Sequence, residues 1–139
     1  MTLEKVPFAK LLGIELESQE PGHAVLSMNI REDHKQNHGV VHGGGVAALI
    51  DSAMALAIMP MLGENERTTT VDLTIHYLRP LTEGTARASA RVVRAGRRVI
   101  TVSAELFDHQ EKLAATAIST YLRLSTSDNT DYPAKAEHL

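Results

Sequence analysis

Apolar and polar residues alternate with a period of two over much of this chain, and the alternation fails in one long stretch. Residues 14–17 and 24–30 alternate, and Glu20-Pro21-Gly22 between them is turn chemistry, which predicts a hairpin. Farther on, Val71, Leu73, Ile75 and Tyr77 alternate with Asp72, Thr74 and His76. Ala86, Ala88, Ala90 and Val92 alternate with Arg87, Ser89 and Arg91, and Ile100, Val102, Ala104 and Leu106 with Thr101, Ser103 and Glu105. Each set reads as a strand with one buried face. A further strand is expected over 113–124. The links at 80–84, 95–97 and 108–112 are short enough to be hairpins, so these four strands are expected to form an antiparallel meander.

The exception runs over 46–61. It has helical length and is rich in Ala, Leu and Met, with Gly43, Gly44 and Gly45 before it and Pro60 and Gly63 closing it. It is apolar nearly all round, and a helix without a polar face is normally surrounded by protein. Near the start, Pro7 suits a first helical turn and Gly13 a C-terminal cap, which predicts a short helix with Phe8, Leu11 and Leu12 facing inward. Residues 34–45 read as a loop. One sheet face must cover something apolar, so the expectation is an α+β domain in which a curved antiparallel sheet wraps one long central helix. It should occupy residues 1–125, leaving 126–139 as a polar, aperiodic tail.

Composition narrows the chemistry. With 139 residues, 43% hydrophobic and 22% charged, the chain suits one ordinary core, and with aromatics at 4% that core is aliphatic. A net charge of -3 offers no basic field, so no nucleic acid partner is expected. There is no cysteine, which removes thiolate nucleophiles and disulfides and suits a cytoplasmic protein. The N-terminus lacks a secretion pattern, and the long apolar run, at 46–62, is short for a membrane span and interrupted by Asp51 and Pro60.

Between Lys35 and Glu64 the one formally charged side chain is Asp51. No Lys or Arg lies in the run to neutralise it, and Asp is a poor helix former, so the position works against local stability. A rule broken inside a core element points to function, although a structural cap or a buried ion pair is the plainer alternative. The glycines before the helix let backbone N–H groups approach an oxygen closely at the positive end of the dipole, as a polarised carbonyl requires. Gly43 and Asp51 are eight positions apart, about 12 Å along a regular helix. If both act on one carbonyl, they must come from different subunits, as a two-fold dimer supplies. His34, His38 and His42 recur every four residues, but Asn37 and Gly39 break a helix there, so solvated loop histidines are expected and no metal site; His42 is expected to brace the loop.

The stretch QNHGVVHGGGVAALIDSA, with TTTVDLTIHYLRPL and the hairpin VVRAGRRVITVSAEL, resembles the hotdog-fold acyl-CoA thioesterases, in particular the phenylacetate-degradation and 4-hydroxybenzoyl-CoA groups. The resemblance runs from about Phe8 to Leu124. It implies a hotdog fold and an Asp51 that either activates water or attacks the thioester. It further implies that the Gly43 amide polarises the carbonyl, that Gln36, or Asn37 in a different loop phase, places substrate or water, that His42 supports the loop, and that Thr70 assists the acid. Arg79, Arg97 and Arg98 are candidates for the coenzyme A phosphates, or else solvated edge residues.

The expectation is a cytoplasmic homodimer or homotetramer that hydrolyses an acyl-CoA without metal or other cofactor and without membrane contact. The rivals are a hotdog hydratase or dehydratase using His42 and Asp51 as an acid/base pair, and a non-catalytic acyl-CoA-binding module. An aliphatic acyl pocket is expected from Val40, Val41, Met54, Ile58 and Met61.

Overall fold

A computed structural model describes residues 3–127; most of the expected tail, from 128 onward, lies outside the described residues. Six strands form one antiparallel sheet: β1 (Ile14–Glu20), β2 (His23–Asn29), β3 (Glu66–Tyr77), β4 (Thr85–Ala95), β5 (Val99–Phe107) and β6 (Leu113–Ser125). Helix α1 (Pro7–Leu12) precedes β1, and the long helix α2 (Gly43–Ile58) joins β2 to β3 through a closing 3-10 turn at Met59–Met61. The expected architecture, a curved sheet around one central helix, is the one observed.

Side-chain size sets how α2 lies on the sheet. Ala86, Ala88 and Ala90 line the inner face of β4 and are fully buried, and their small volume makes room for Leu49, Ile50, Met54 and Ile58 of the helix, also fully buried. Leu26 and Met28 of β2 and Ile100, Val102 and Leu106 of β5 complete this interior. Large residues on the helix against small ones on the strand give close packing without aromatics. The stretch Gly43–Met61 has a mean hydropathy of 1.6 over a membrane-spanning length, yet 44% of it is buried inside the protein.

The meander holds for β4, β5 and β6 and fails for β3. The sheet order is β1-β2-β4-β5-β6-β3, so β3 pairs with β6 at the far edge, and β4 pairs with β2. The link from Leu78 to Gly84 is no hairpin. It crosses the ends of two intervening strands, anchored by Leu78 N–H and Arg79 N–H on Ala114 O and by Val41 N–H on Leu81 O. Three strand spacings are roughly 14 Å, and seven extended residues reach about 24 Å, so the link is long enough for either arrangement and its length does not decide between them.

Two local expectations are also corrected. Phe8 and Leu11 are 58% and 66% exposed, while Ala9 is the residue of α1 buried against the core. A helix of six residues presents one narrow face to its neighbour, and Ala9 and Leu12, three positions apart, occupy it, Leu12 as expected. Helix α2 begins at Gly43, three residues earlier than expected, because the His42 side chain caps it: Nδ1 accepts from Gly44 N–H at 2.8 Å.

Candidate functional site

Asp51 lies midway along α2, half-buried, on the flank turned towards β3 and β6. Its Oδ1 accepts two hydrogen bonds, from Tyr121 Oη at 2.5 Å and from Thr70 Oγ1 at 3.2 Å. Among the described residues, Oδ2 accepts none. One carboxylate oxygen is therefore fixed and the other is open. Tyr121 is 2% exposed, and its hydroxyl also lies 3.1 Å from the Asp51 carbonyl oxygen. Burial, and after it the Asp51 charge and hydrogen bond, push the Tyr121 phenol well above its ordinary range, so it remains a proton donor.

Thr70 reaches Asp51 because of an irregularity in β3. Thr70 and Tyr121 are cross-strand partners, and the register then slips, with Asp72 opposite Thr120. Val71 is the extra residue. Strict alternation along Val71, Leu73, Ile75 and Tyr77 would send Val71 inward and Thr70 outward; the bulge reverses the parity, so Thr70 turns to the helix while Val71 is 55% exposed. Bulges commonly re-aim a side chain in this way.

The other candidates gather at the helix start. The Gly43 N–H has no acceptor among the described residues, and the Gly43 carbonyl accepts from Tyr77 Oη at 3.0 Å. A Cβ at position 43 would stand 3.3 Å from that phenol oxygen, so a side chain there crowds Tyr77. The amide opens beside a cleft of about 280 Å³ lined by Val41, Gly43, Val46, Tyr77, Arg79 and Leu81. Gln36 Oε1 accepts from His38 N–H at 2.7 Å, and Gln36 N–H bonds to Val40 O, which folds the loop on itself; Asn37 is exposed. Within one chain, then, Asp51 and Thr70 come together at mid-helix, whereas Gly43, His42, Gln36 and Asn37 lie at or before the helix start.

Two expectations change, and one residue is added. His34 is not a solvated loop histidine: it is buried, Nδ1 accepting from Arg31 N–H at 3.1 Å and Nε2 on Leu12 O at 2.8 Å, so it ties the loop to the end of α1. Both its ring nitrogens are engaged, and among the described residues no group of three or more His, Cys, Asp or Glu is placed to hold a metal. Met54 and Ile58 are fully buried beneath the sheet rather than lining a pocket. Tyr121 was missed, though a signal existed. It is the sole aromatic of β6 and has core parity, and a buried tyrosine hydroxyl seeks a polar partner.

A family model described as the thioesterase superfamily matches residues 38–115, which include Gly43, Asp51 and Thr70 and leave out Gln36, Asn37 and Tyr121. A medium/long-chain acyl-CoA thioesterase of Salmonella typhimurium is 30% identical over 137 aligned residues, covering 88% of each chain. Among solved structures, a thioesterase from Haemophilus influenzae superposes with a TM-score of 0.85 at 24% identity, over 92% of this chain and 94% of that one. The PaaI protein of the Escherichia coli phenylacetic acid degradation operon gives 0.81 at 29% identity, over 88% and 87%.

Proposed function

This chain belongs to the thioesterase superfamily and has its hotdog fold, and on that premise we propose that it hydrolyses an acyl-CoA to the free acid and coenzyme A in a site shared by two copies. The observation that carries the reading is the state of Asp51: a carboxylate inside an apolar helix, one oxygen held by two hydroxyls and the other open. Oδ2 takes a proton from water as the water oxygen adds to the thioester carbonyl. The carbonyl oxygen becomes an oxyanion against the Gly43 N–H, the C–S bond breaks, and the coenzyme A thiolate regains a proton. A thioester is already activated, so a positioned base and one oxyanion donor suffice. Direct attack by Oδ2 would pass instead through an anhydride that water then opens. Single-turnover hydrolysis in labelled water tests the second route, because an anhydride opened by water at the Asp51 carboxyl carbon leaves label on Asp51, and a trapped acyl-Asp51 adduct reports it whichever carbonyl water attacks.

Two features support a second copy. The flank of α2 away from its own sheet carries Ala47, Ala48, Ser52 and Ala55, small and only half-covered, and among the described strands β3 stands at an edge of the sheet. Helix and strand run side by side, since the helix start bonds to Tyr77 and Asp51 bonds to Thr70. A two-fold axis near Ala47 and near Leu73–Thr74 pairs the open edges antiparallel and lays the small-residue flanks together. It also brings the Gly43 end of one helix beside Asp51 of the other, closing the gap of about 12 Å that one helix cannot. Gln36, Asn37 and His42 arrive with Gly43, as substrate-placing and loop-bracing groups, and Thr70 steadies Asp51. The family match favours hydrolysis over the hydratase and binding-module alternatives. Mixing Asp51→Asn subunits with Gln36→Ala subunits should restore thiol release if sites are shared; no recovery after proven exchange rejects the shared site.

A further inference from the structure

Tyr77 ends β3 and has no role in the chemistry above. Its backbone is fixed: it pairs with Ala115 of β6, and the next two N–H groups, of Leu78 and Arg79, both bond to Ala114 O. Its side chain is 55% exposed, and the phenol reaches back to donate to Gly43 O at 3.0 Å. The hydroxyl approaches where the chain has no side chain, since a Cβ on Gly43 would stand 3.3 Å from it. Burial does not demand this bond, as it does for Tyr121, because water can serve an exposed hydroxyl equally well.

The bond completes a grip on the two peptide units that meet at the Gly43 α-carbon. In the unit from His42 to Gly43, the His42 carbonyl accepts from Gly45 N–H at 2.9 Å and from Val46 N–H at 3.3 Å, which leaves the Gly43 N–H as the unbonded end. In the unit from Gly43 to Gly44, the Gly44 N–H donates to His42 Nδ1 at 2.8 Å and the Gly43 oxygen accepts from Tyr77. A peptide unit is planar, so holding both of its ends fixes its plane, and glycine is the residue about which such planes otherwise turn most freely. His42 is held in turn, its N–H donating to His34 O at 2.8 Å. The grip therefore comes from the loop through His42 and from the sheet through Tyr77. We propose that Tyr77 is a positioning residue that keeps the Gly43 amide aimed at the place where the thioester carbonyl oxygen becomes negative. A donor stabilises an oxyanion fully when it needs no reorganisation as the charge develops, and an amide gripped from the loop alone would be free to turn. The inference rests on the thioester-hydrolase reading and adds to it that β3 sets both ends of the site, Asp51 through Thr70 and Gly43 through Tyr77. In a two-fold dimer those two ends serve different sites.

The test is Tyr77→Phe, which keeps the ring and removes the hydroxyl. With an acyl-CoA, thiol release should show kcat lowered about tenfold and KM within about twofold of wild type. Binding of the matching thioether analogue, which has a methylene in place of the carbonyl and makes no demand on the Gly43 amide, should be unchanged. Mixing Tyr77→Phe subunits with Asp51→Asn subunits gives the second readout. About half of freely exchanged dimers are hybrids, each joining one intact Gly43 end to one intact Asp51, so thiol release should rise about fivefold above the unmixed proteins. An unchanged kcat, or thioether binding weakened as much as turnover, overturns the Tyr77 assignment and leaves hydrolysis standing. So does the absence of a rise in this mixture when Asp51→Asn and Gln36→Ala subunits do recover activity together. Recovery in neither mixture overturns the shared site and the assignment with it, and wild-type protein that releases no thiol overturns the hydrolase reading on which both rest.

Discussion

The two flanks of α2 belong to one long apolar run and have opposite fates. On the sheet side Leu49, Ile50, Met54 and Ile58 are fully buried, large and fitted against an alanine row on β4. On the other side Ala47, Ala48, Asp51, Ser52 and Ala55 are small and half-covered. The first flank is finished within one chain. The second is unfinished, and it holds the one carboxylate of the helix. The contrast teaches that hydrophobicity alone does not locate a core: side-chain volume separates the flank that fills space from the flank that leaves room for something to approach.

The largest effect should come from the unfinished flank. Asp51→Asn keeps the shape and the Oδ1 hydrogen bonds but removes the base or nucleophile, and kcat should fall about a thousandfold, near 4 kcal/mol. Thiol release should report this while circular dichroism and oligomeric size stay as in the wild type; activity within a few-fold of wild type would erase the functional half of the contrast. On the finished flank, Leu49→Ala should cost about 3 kcal/mol of stability through lost burial and a residual cavity. Denaturant midpoints measure it, and kcat for the folded enzyme should be little changed. If Leu49→Ala instead lowers kcat as Asp51→Asn does, the flanks are not separable.

Smaller changes sharpen the boundary between the flanks. Tyr121→Phe removes one of the two donors on Asp51 Oδ1, and kcat should drop about tenfold with KM nearly constant, a split that simple loosening of the fold does not produce. His42→Ala removes the helix cap and should lower stability by about 1 kcal/mol, read as a shift in Tm. The smallest effect is on alkaline stability. The folded chain keeps the Tyr121 proton that the unfolded chain gives up near pH 10. Unfolding is thus favoured as pH rises above that value, and Tyr121→Phe should flatten this part of the stability profile. A profile unchanged by the substitution would place the phenol in a more open setting.

Much of this protein could be read along the chain. The period of two located β4, β5 and β6 and most of β2, the apolar run located α2, and Asp51 stood out because nothing near it in sequence could neutralise it. These properties are local: each depends on a residue and on neighbours within two to eight positions, which secondary structure places on fixed faces. What only the tertiary structure decided is non-local. A strand's periodicity says that it has a buried face and is silent on its partner, so β3 went to β6 rather than beside β4. The bulge at Val71 depends on that pairing, and with it the turning of Thr70 towards Asp51. Tyr121 is 70 residues from Asp51 and His34 is 22 from Leu12, separations at which sequence pattern carries no phase. Hydrogen bonds between such groups exist because burial leaves each polar atom in need of a partner, and which atoms are buried together is settled by how the sheet closes around the helix.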